Sequence, residues 1–533
     1  GTSFSPVSIA TGQPTPPYVW SIASTGGSKF VLALEAVPGT LGQIWISADN
    51  GASWTQGSNV TSPLGVARMT VASAPSAPNI VYALASTSSG NLADIYRSTT
   101  GGAFWRSLRA TSSRTVYTNP NPTATRPTQL FNTQGWYDQM LLVNPANPNE
   151  AFYGGALHTA KVVVGSMGAA DRWTMISEWL GRYNLPYVHA DAHAAAYDAA
   201  GRLYFGTDGG VFMSPDNGVN FTDRLNIGIV THLIYNLGSS TAAGSLVVGG
   251  FQDNGTRTRS GATSTFNQTI GGDGFGCDVH KTDGSLVLGS LYNARIQKST
   301  NGGVNFSPAC SGIAECGTSS APFYTKVVPW TGSATGDVVF THSNTRMYKS
   351  ANYADSWTGL TPVPTGTIRN INVAHSNPDV LGIVASGGAA YVSNNGGTSW
   401  TPVATLPNNG LSLSYIWFDR ADPNIVYVSS VAPNASATHL WKSLNFGQSW
   451  TAIDGGGFPT GVPVDVIKTD PLAPATLYAG THLGVYRSDD AGANWVRYGS
   501  GLPLVEVTDV YISADASLVR ASTFGRGFWE LVP

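Results

Sequence analysis

The chain has 533 residues, of which 62 are glycine and only 11% are charged, and its formal net charge is −3. No cluster of Lys and Arg and no run of about 18 apolar residues is present, so nucleic acid and the membrane are excluded as partners. Many glycines, few charges and a lack of long amphipathic helical stretches indicate an all-β protein with many tight turns.

In chain order, residues 3–11 (SFSPVSIAT) read as one strand without a partner. Three apolar strands follow, VWSIAST, FVLALEA and QIWISAD, and the third runs into the octapeptide SADNGASW at Ser47. The pattern S-x-(D/N/T)-x-G-x-x-(W/F) then recurs at Ser98, Ser214, Ser299, Ser393, Ser443 and Ser488, with weaker copies at Ser166 and Ser350. Most neighbouring copies lie about 43 to 51 residues apart, the length of one four-stranded propeller blade. The longer gap between Ser214 and Ser299 predicts a degenerate unit near Ser260. Locally, the Asp or Asn side chain caps its own turn, Gly takes a positive φ, and the aromatic ring fills the gap between blades. Residues 507–533 add three strands without the octapeptide, and the two termini are expected to share the closing blade. The fold class is therefore an all-β propeller of roughly 10–11 blades. It forms either one large ring or two facing propellers across 1–533, with no boundary assignable from sequence.

The repeated octapeptide resembles the Asp-box, or bacterial neuraminidase repeat, of sialidases, family 74 glycoside hydrolases (xyloglucanases) and VPS10 receptor domains. The resemblance implies propeller blades with the octapeptide between their third and fourth strands, away from the active face. TDGG at Asp208 is similar to the Thr-Asp-x-Gly-Gly element that carries a catalytic Asp in family 74 enzymes. The family has that element near the N-terminus and its second Asp far along the chain. A sialidase would need three arginines, and only Arg295 and Arg526 are candidates.

Ligand sites of propellers use the turns from second to third strand and the loops between blades. In those positions polar residues concentrate mid-chain. They are Trp136, Tyr137 and Asp138, then His158, then His189, Asp191 and His193 of HADAH, then Asp208. Beyond them come His232, Gln252, Asp253 and Asn254, then Asp273, then Tyr292 and Arg295. Glycoside hydrolysis requires two carboxyl groups, one to protonate the leaving oxygen and one to activate water or attack. Asp208 and Asp273 are the candidates, with Trp136, Tyr137, His189, Asp191, His193, His232, Gln252, Asp253, Asn254, Tyr292 and Arg295 binding substrate. Residues two apart share a side of an extended chain, so His189, Asp191 and His193, with His158, are candidate ligands for Zn²⁺ or Mn²⁺. No cofactor is required by the two-carboxylate reading.

The expected function is thus a secreted, monomeric glycoside hydrolase acting on a polysaccharide. Two alternatives stay open: a polysaccharide lyase using His or Tyr with Arg or a metal, and a non-catalytic propeller that binds glycan or peptide. Gly1 opens the chain with no charged-then-apolar leader, which reads as a processed form. Cys310 and Cys316 can close a local disulfide, leaving Cys277 alone, and N-x-S/T sequons occur at Asn59, Asn220, Asn254, Asn267, Asn305 and Asn434.

Overall fold

The computed structural model describes residues 9, 18–34, 43–57, 66–108, 115–118, 130–166, 169–261, 263–406, 412–432 and 438–531. Most of the 3–11 strand, the sequons Asn59 and Asn434, and residues 167–168 of the copy at Ser166 lie outside these. No helix is long and apolar enough to cross a membrane among the described residues. The chain is all-β, with eleven sheets among the described residues, divided between two compact units, Gly1–Ile229 and Val230–Pro533.

The first unit holds sheets 1 (19–56), 2 (69–107), 3 (140–178) and 4 (192–214). Sheet 3 gains a fifth, outer strand, Thr115–Thr118, which runs parallel to Asp171–Glu178. Successive sheets meet at their leading strands, as where Ser21 Oγ accepts the Val71 N–H and donates to the Val71 carbonyl. Met140, Phe152, Ala192 and Phe205 form the core between sheets 3 and 4.

The second unit holds sheets 5 (234–270), 6 (274–308), 7 (327–359), 8 (368–402), 9 (413–452), 10 (464–498) and 11 (507–531). All are antiparallel and four-stranded except sheet 11, which has three strands. Sheet 11 returns to sheet 5, where Thr508 Oγ1 donates to the Ile234 carbonyl at 2.6 Å and Glu530 pairs with Arg259 at 2.8 Å. The seven sheets therefore close a propeller ring within this unit. Closure of these seven sheets comes from side-by-side packing of sheets 11 and 5, and most of the N-terminal strand expected to share the closing blade lies outside the described residues. Packing is tight enough that a Cβ on Gly250 of sheet 5 would lie 2.0 Å from the Phe275 carbonyl oxygen of sheet 6. Only glycine permits that approach.

The repeated octapeptide forms the turn between third and fourth strands, as expected. The serine Oγ accepts the N–H four residues on, at 2.8 Å for Ser47 and Ser214, 3.0 Å for Ser299 and Ser393 and 2.9 Å for Ser443 and Ser488. The Asp or Asn Oδ1 accepts the N–H four residues further along, at 2.8 Å from Asp49, Asp216 and Asp490. The weaker copy at Ser350 makes the same bonds, to the N–H groups of Ala354 and, through Asn352, Ser356. Each motif thus satisfies several of its own turn amides, and one further N–H of the turn donates to a carbonyl upstream, as Asn50 to Ser28 and Gly302 to Ser285, both at 2.8 Å. The indole bridges to the preceding sheet: Trp357, Trp400, Trp450 and Trp495 donate to the carbonyls of Ala309, Thr361, Ala404 and Ile453. The unit anticipated near Ser260 is sheet 5, whose third and fourth strands are Gly255–Arg259 and Asn267–Ile270. Cys310 and Cys316 form the disulfide, and Cys277 is a buried free thiol.

Candidate functional site

In the first unit, residues 130–139 fold as a compact turn between sheets 2 and 3. The Gln134 N–H donates to the Phe131 carbonyl at 2.7 Å, and the Gln139 amide to the Gly135 carbonyl at 2.6 Å. This presents Trp136, 60% exposed, and Tyr137 to solvent while turning Asp138 inward to complete burial. The adjoining HADAH segment does not run extended. Asp191 takes φ of 60°, and its N–H is held by the Ala156 carbonyl at 2.9 Å. Asp208 sits at the tip of the second-to-third turn of sheet 4, between Leu203–Thr207 and Gly210–Ser214.

Three carboxyl groups meet here. The Tyr137 hydroxyl donates to Asp208 Oδ2 at 2.9 Å, and His193 Nε2 stands 2.9 Å from Asp208 Oδ1. The Tyr137 and His193 rings meet edge to face at 4.7 Å. Asp191 accepts from the Gln134 side-chain amide at 2.8 Å, and an oxygen of Asp191 lies within 4.8 Å of one of Asp208. Asp138 holds its proton far above the ordinary carboxylate range, first because burial strips its water and then because Asp191 is ionised beside it. As a carboxylate neither of its oxygens has a donor among the described residues; as an acid it has an acceptor in Asp191. Asp191 is itself raised, by burial and then by the charge of Asp208. Within the pair their contact raises the pKa of Asp138 and lowers that of Asp191, so Asp138 is the member that holds the proton and Asp191 the half-buried member nearer solvent.

This arrangement has a stability consequence. Between the ordinary carboxylate value and its raised folded value, the native Asp138 binds a proton that the unfolded chain does not, so stability falls as pH rises through that interval. Asp138→Asn is expected to flatten the loss of thermal midpoint between mildly acidic and mildly alkaline buffer, as scanning calorimetry would read. An unchanged slope would mean that Asp138 is ionised throughout.

The expected metal set does not assemble. His158, His189, Asp191 and His193 do not bring three ligand atoms together among the described residues. The positive φ of Asp191 breaks the alternation that would have aligned the HADAH side chains. His189 lies so close over Gly209 that a Cβ there would sit 2.1 Å from its ring. His158 is buried in sheet 3, where desolvation lowers its pKa.

In the second unit, Asp273 Oδ1 accepts the Asp253 N–H at 2.7 Å, which commits it to a turn. Gln252 accepts from the Tyr235 hydroxyl at 2.9 Å, and the Asn254 carbonyl accepts from Arg257. His232 packs edge to face on Phe251 at 5.2 Å, and burial lowers its pKa. Arg295 lies over the Tyr292 ring at 5.5 Å. Asp273, Asp253 and Glu506 all add negative charge near Tyr235, whose pKa rises, mostly through burial.

A second cluster was missed from sequence. His482 lies 3.3 Å from Asp465 and 3.8 Å from Glu506, and the three offer ligand atoms within 4.8 Å of one another. Asp465 opens sheet 10, His482 lies in its second-to-third turn, and Glu506 leads into sheet 11. The loop rule that found the mid-chain residues covers these positions too, but their polar residues are sparser. A raised His482 pKa, from its bond to Asp465, lets a proton on imidazole neutralise the two acids.

No family model and no curated protein matches the chain. Among solved structures, the GH74 enzyme of Niastella koreensis is similar at 17% identity and a TM-score of 0.51, over 96% of this chain and 90% of that one. An ancestral GH74 enzyme is similar at 16% identity and a TM-score of 0.53, over 97% of this chain and 86% of that one. At such identities the likeness is one of fold, and it makes the chain similar in architecture to GH74 β-propellers.

Proposed function

We propose that the protein is a secreted glycoside hydrolase acting on a neutral polysaccharide, with its acid–base chemistry in the first unit. The observation that carries the reading is the trio of Asp138, Asp191 and Asp208. One proton is held at elevated pKa by the first two, and an adjacent carboxyl is oriented by Tyr137 and His193. Two acids pushed to different protonation states are what glycosidic cleavage uses. Asp191 serves as general acid, refilled from Asp138, and Asp208 as base or nucleophile. Trp136, exposed beside Tyr137 with ring centroids 5.7 Å apart, provides a face for sugar stacking. Asp273, one oxygen of which is held by a backbone amide, is no longer the preferred partner of Asp208.

Three acids in one site repel a uronate, which disfavours the lyase alternative and selects neutral substrate. The Cys310–Cys316 disulfide is consistent with an oxidising, extracellular setting. A reducing-sugar and ultraviolet-absorbance screen over neutral and acidic polysaccharides, with and without chelator, tests the reading. Reducing ends from a neutral polymer, unaffected by chelator, are the expected outcome. Ultraviolet-absorbing product from an acidic polymer would establish a lyase instead, and binding without cleavage would leave a lectin-like propeller.

A further inference from the structure

The ring of the second unit encloses a cavity of about 240 Å³, walled by the first strand of every sheet from 5 to 11 and by residues flanking those strands. It reaches a surface where Thr241, Lys281 and Thr331 are exposed, at the far ends of the first strands. Its size falls below the roughly 300–1,000 Å³ of drug-sized pockets, so it suits a single ring and not an oligosaccharide.

The charges on this wall do not balance. Lys468 is paired with Asp509 at 2.8 Å, and Lys281 is spent on the carbonyls of Thr331 and Ser333. Asp278, its pKa pushed up to about 7 by burial, accepts from the Tyr353 hydroxyl at 3.0 Å. Lys326 is only 5% exposed, yet its ammonium has no carboxylate or hydrogen-bond partner among the described residues and lies 5.2 Å from the Tyr324 ring centroid. The Arg420 guanidinium makes no hydrogen bond among the described residues and has the charge of Asp470 near it. Asn370, 4% exposed, leaves its Oδ1 without a donor. An unpaired buried cation and an unpaired buried acceptor each cost stability that an apolar wall would avoid.

We propose that this cavity binds an anionic monosaccharide, carboxylated or phosphorylated. Lys326 demands an anion, Arg420 adds a second positive charge on the same wall, and Asn370 Oδ1 demands a hydroxyl donor. Trp330 and Trp417 also line the wall, aromatic side chains of the kind that pack against sugars. The site is independent of the carboxyl trio in the first unit, and failure of either leaves the other standing.

The test is calorimetric titration of the full chain at low ionic strength with D-glucuronate, D-glucose 6-phosphate, D-glucose and inorganic phosphate. At least one sugar acid is expected to bind about tenfold or more tighter than glucose or phosphate, and the preferred one identifies carboxylate or phosphate as the natural group. Lys326→Met is expected to weaken that binding by about tenfold or more while leaving the ligand-free thermal midpoint unchanged or higher. Arg420→Leu should weaken it as well. The proposal is overturned by absence of heat with both sugar acids, by equal binding of glucose or inorganic phosphate, or by full affinity in both variants. A lowered midpoint in Lys326→Met would also overturn it, since the lysine would then serve the fold.

Discussion

Asp208→Asn is expected to lower kcat on a neutral polysaccharide by about 10³-fold or more, because a positioned acid–base group alone supplies about 10²–10⁴-fold and a nucleophile adds to that. The substitution keeps the shape that accepts from the Tyr137 hydroxyl and removes only the charge. It also relieves repulsion on Asp191, so the thermal midpoint should hold or rise while activity collapses. Asp191→Asn should lose activity to a comparable degree, since no proton donor then faces the leaving oxygen. In the wild type, activity is expected to decline on the alkaline side as the Asp138–Asp191 pair gives up its proton. Initial rates across pH, with midpoints measured on the same samples, separate lost chemistry from lost fold. Full activity in Asp208→Asn would remove the carboxyl trio from the mechanism.

Trp495→Ala is the substitution expected to damage the fold most. Its indole is 2% exposed and packs edge to face on Phe458 at 5.2 Å. Its N–H donates to the Ile453 carbonyl of sheet 9 at 2.7 Å and is shared with the Gly492 carbonyl at 3.2 Å. Deleting a buried Trp costs about 3–5 kcal/mol through lost transfer energy and the residual cavity. The Ile453 carbonyl left without this donor adds about 1–3 kcal/mol, while the Gly492 carbonyl keeps the Gly455 N–H. Against a typical total of about 5–15 kcal/mol, that is enough to populate unfolded chain at ambient temperature. Trp54→Ala, at a half-buried ring bonded only within its own turn to Gly51, should cost less and serves as the comparison. Calorimetry of both variants reads the difference, and equal midpoints would deny the tryptophan its role of joining neighbouring sheets.

Comparing expectation with structure element by element shows where sequence reasoning was strong. The octapeptide turns were legible because the serine and Asp or Asn bonds that shape them lie within seven residues, as at Ser47 and Asp49, while the bond from Asn50 back to Ser28 only secures a turn already formed. The same locality carried the disulfide between Cys310 and Cys316. Loop placement singled out Tyr137, Asp191, His193 and Asp208, which the structure brings together. It failed for the proposed metal set because one residue, Asp191, left the extended region. It placed Asp138 in these loops but gave it no role, since nothing local distinguishes an aspartate that faces the core from one that faces solvent.

The sequence by itself therefore determined an all-β architecture, its repeat length and the chemistry of its turns, because those follow from side chains acting on their own backbone. Only the tertiary structure decided the division at Ile229 and the closure of seven sheets through Thr508 and Ile234. It alone decided, too, which carboxyl groups face one another. Burial and mutual charge set the protonation of Asp138 and Asp191, and both depend on residues brought together from segments up to about 70 positions apart.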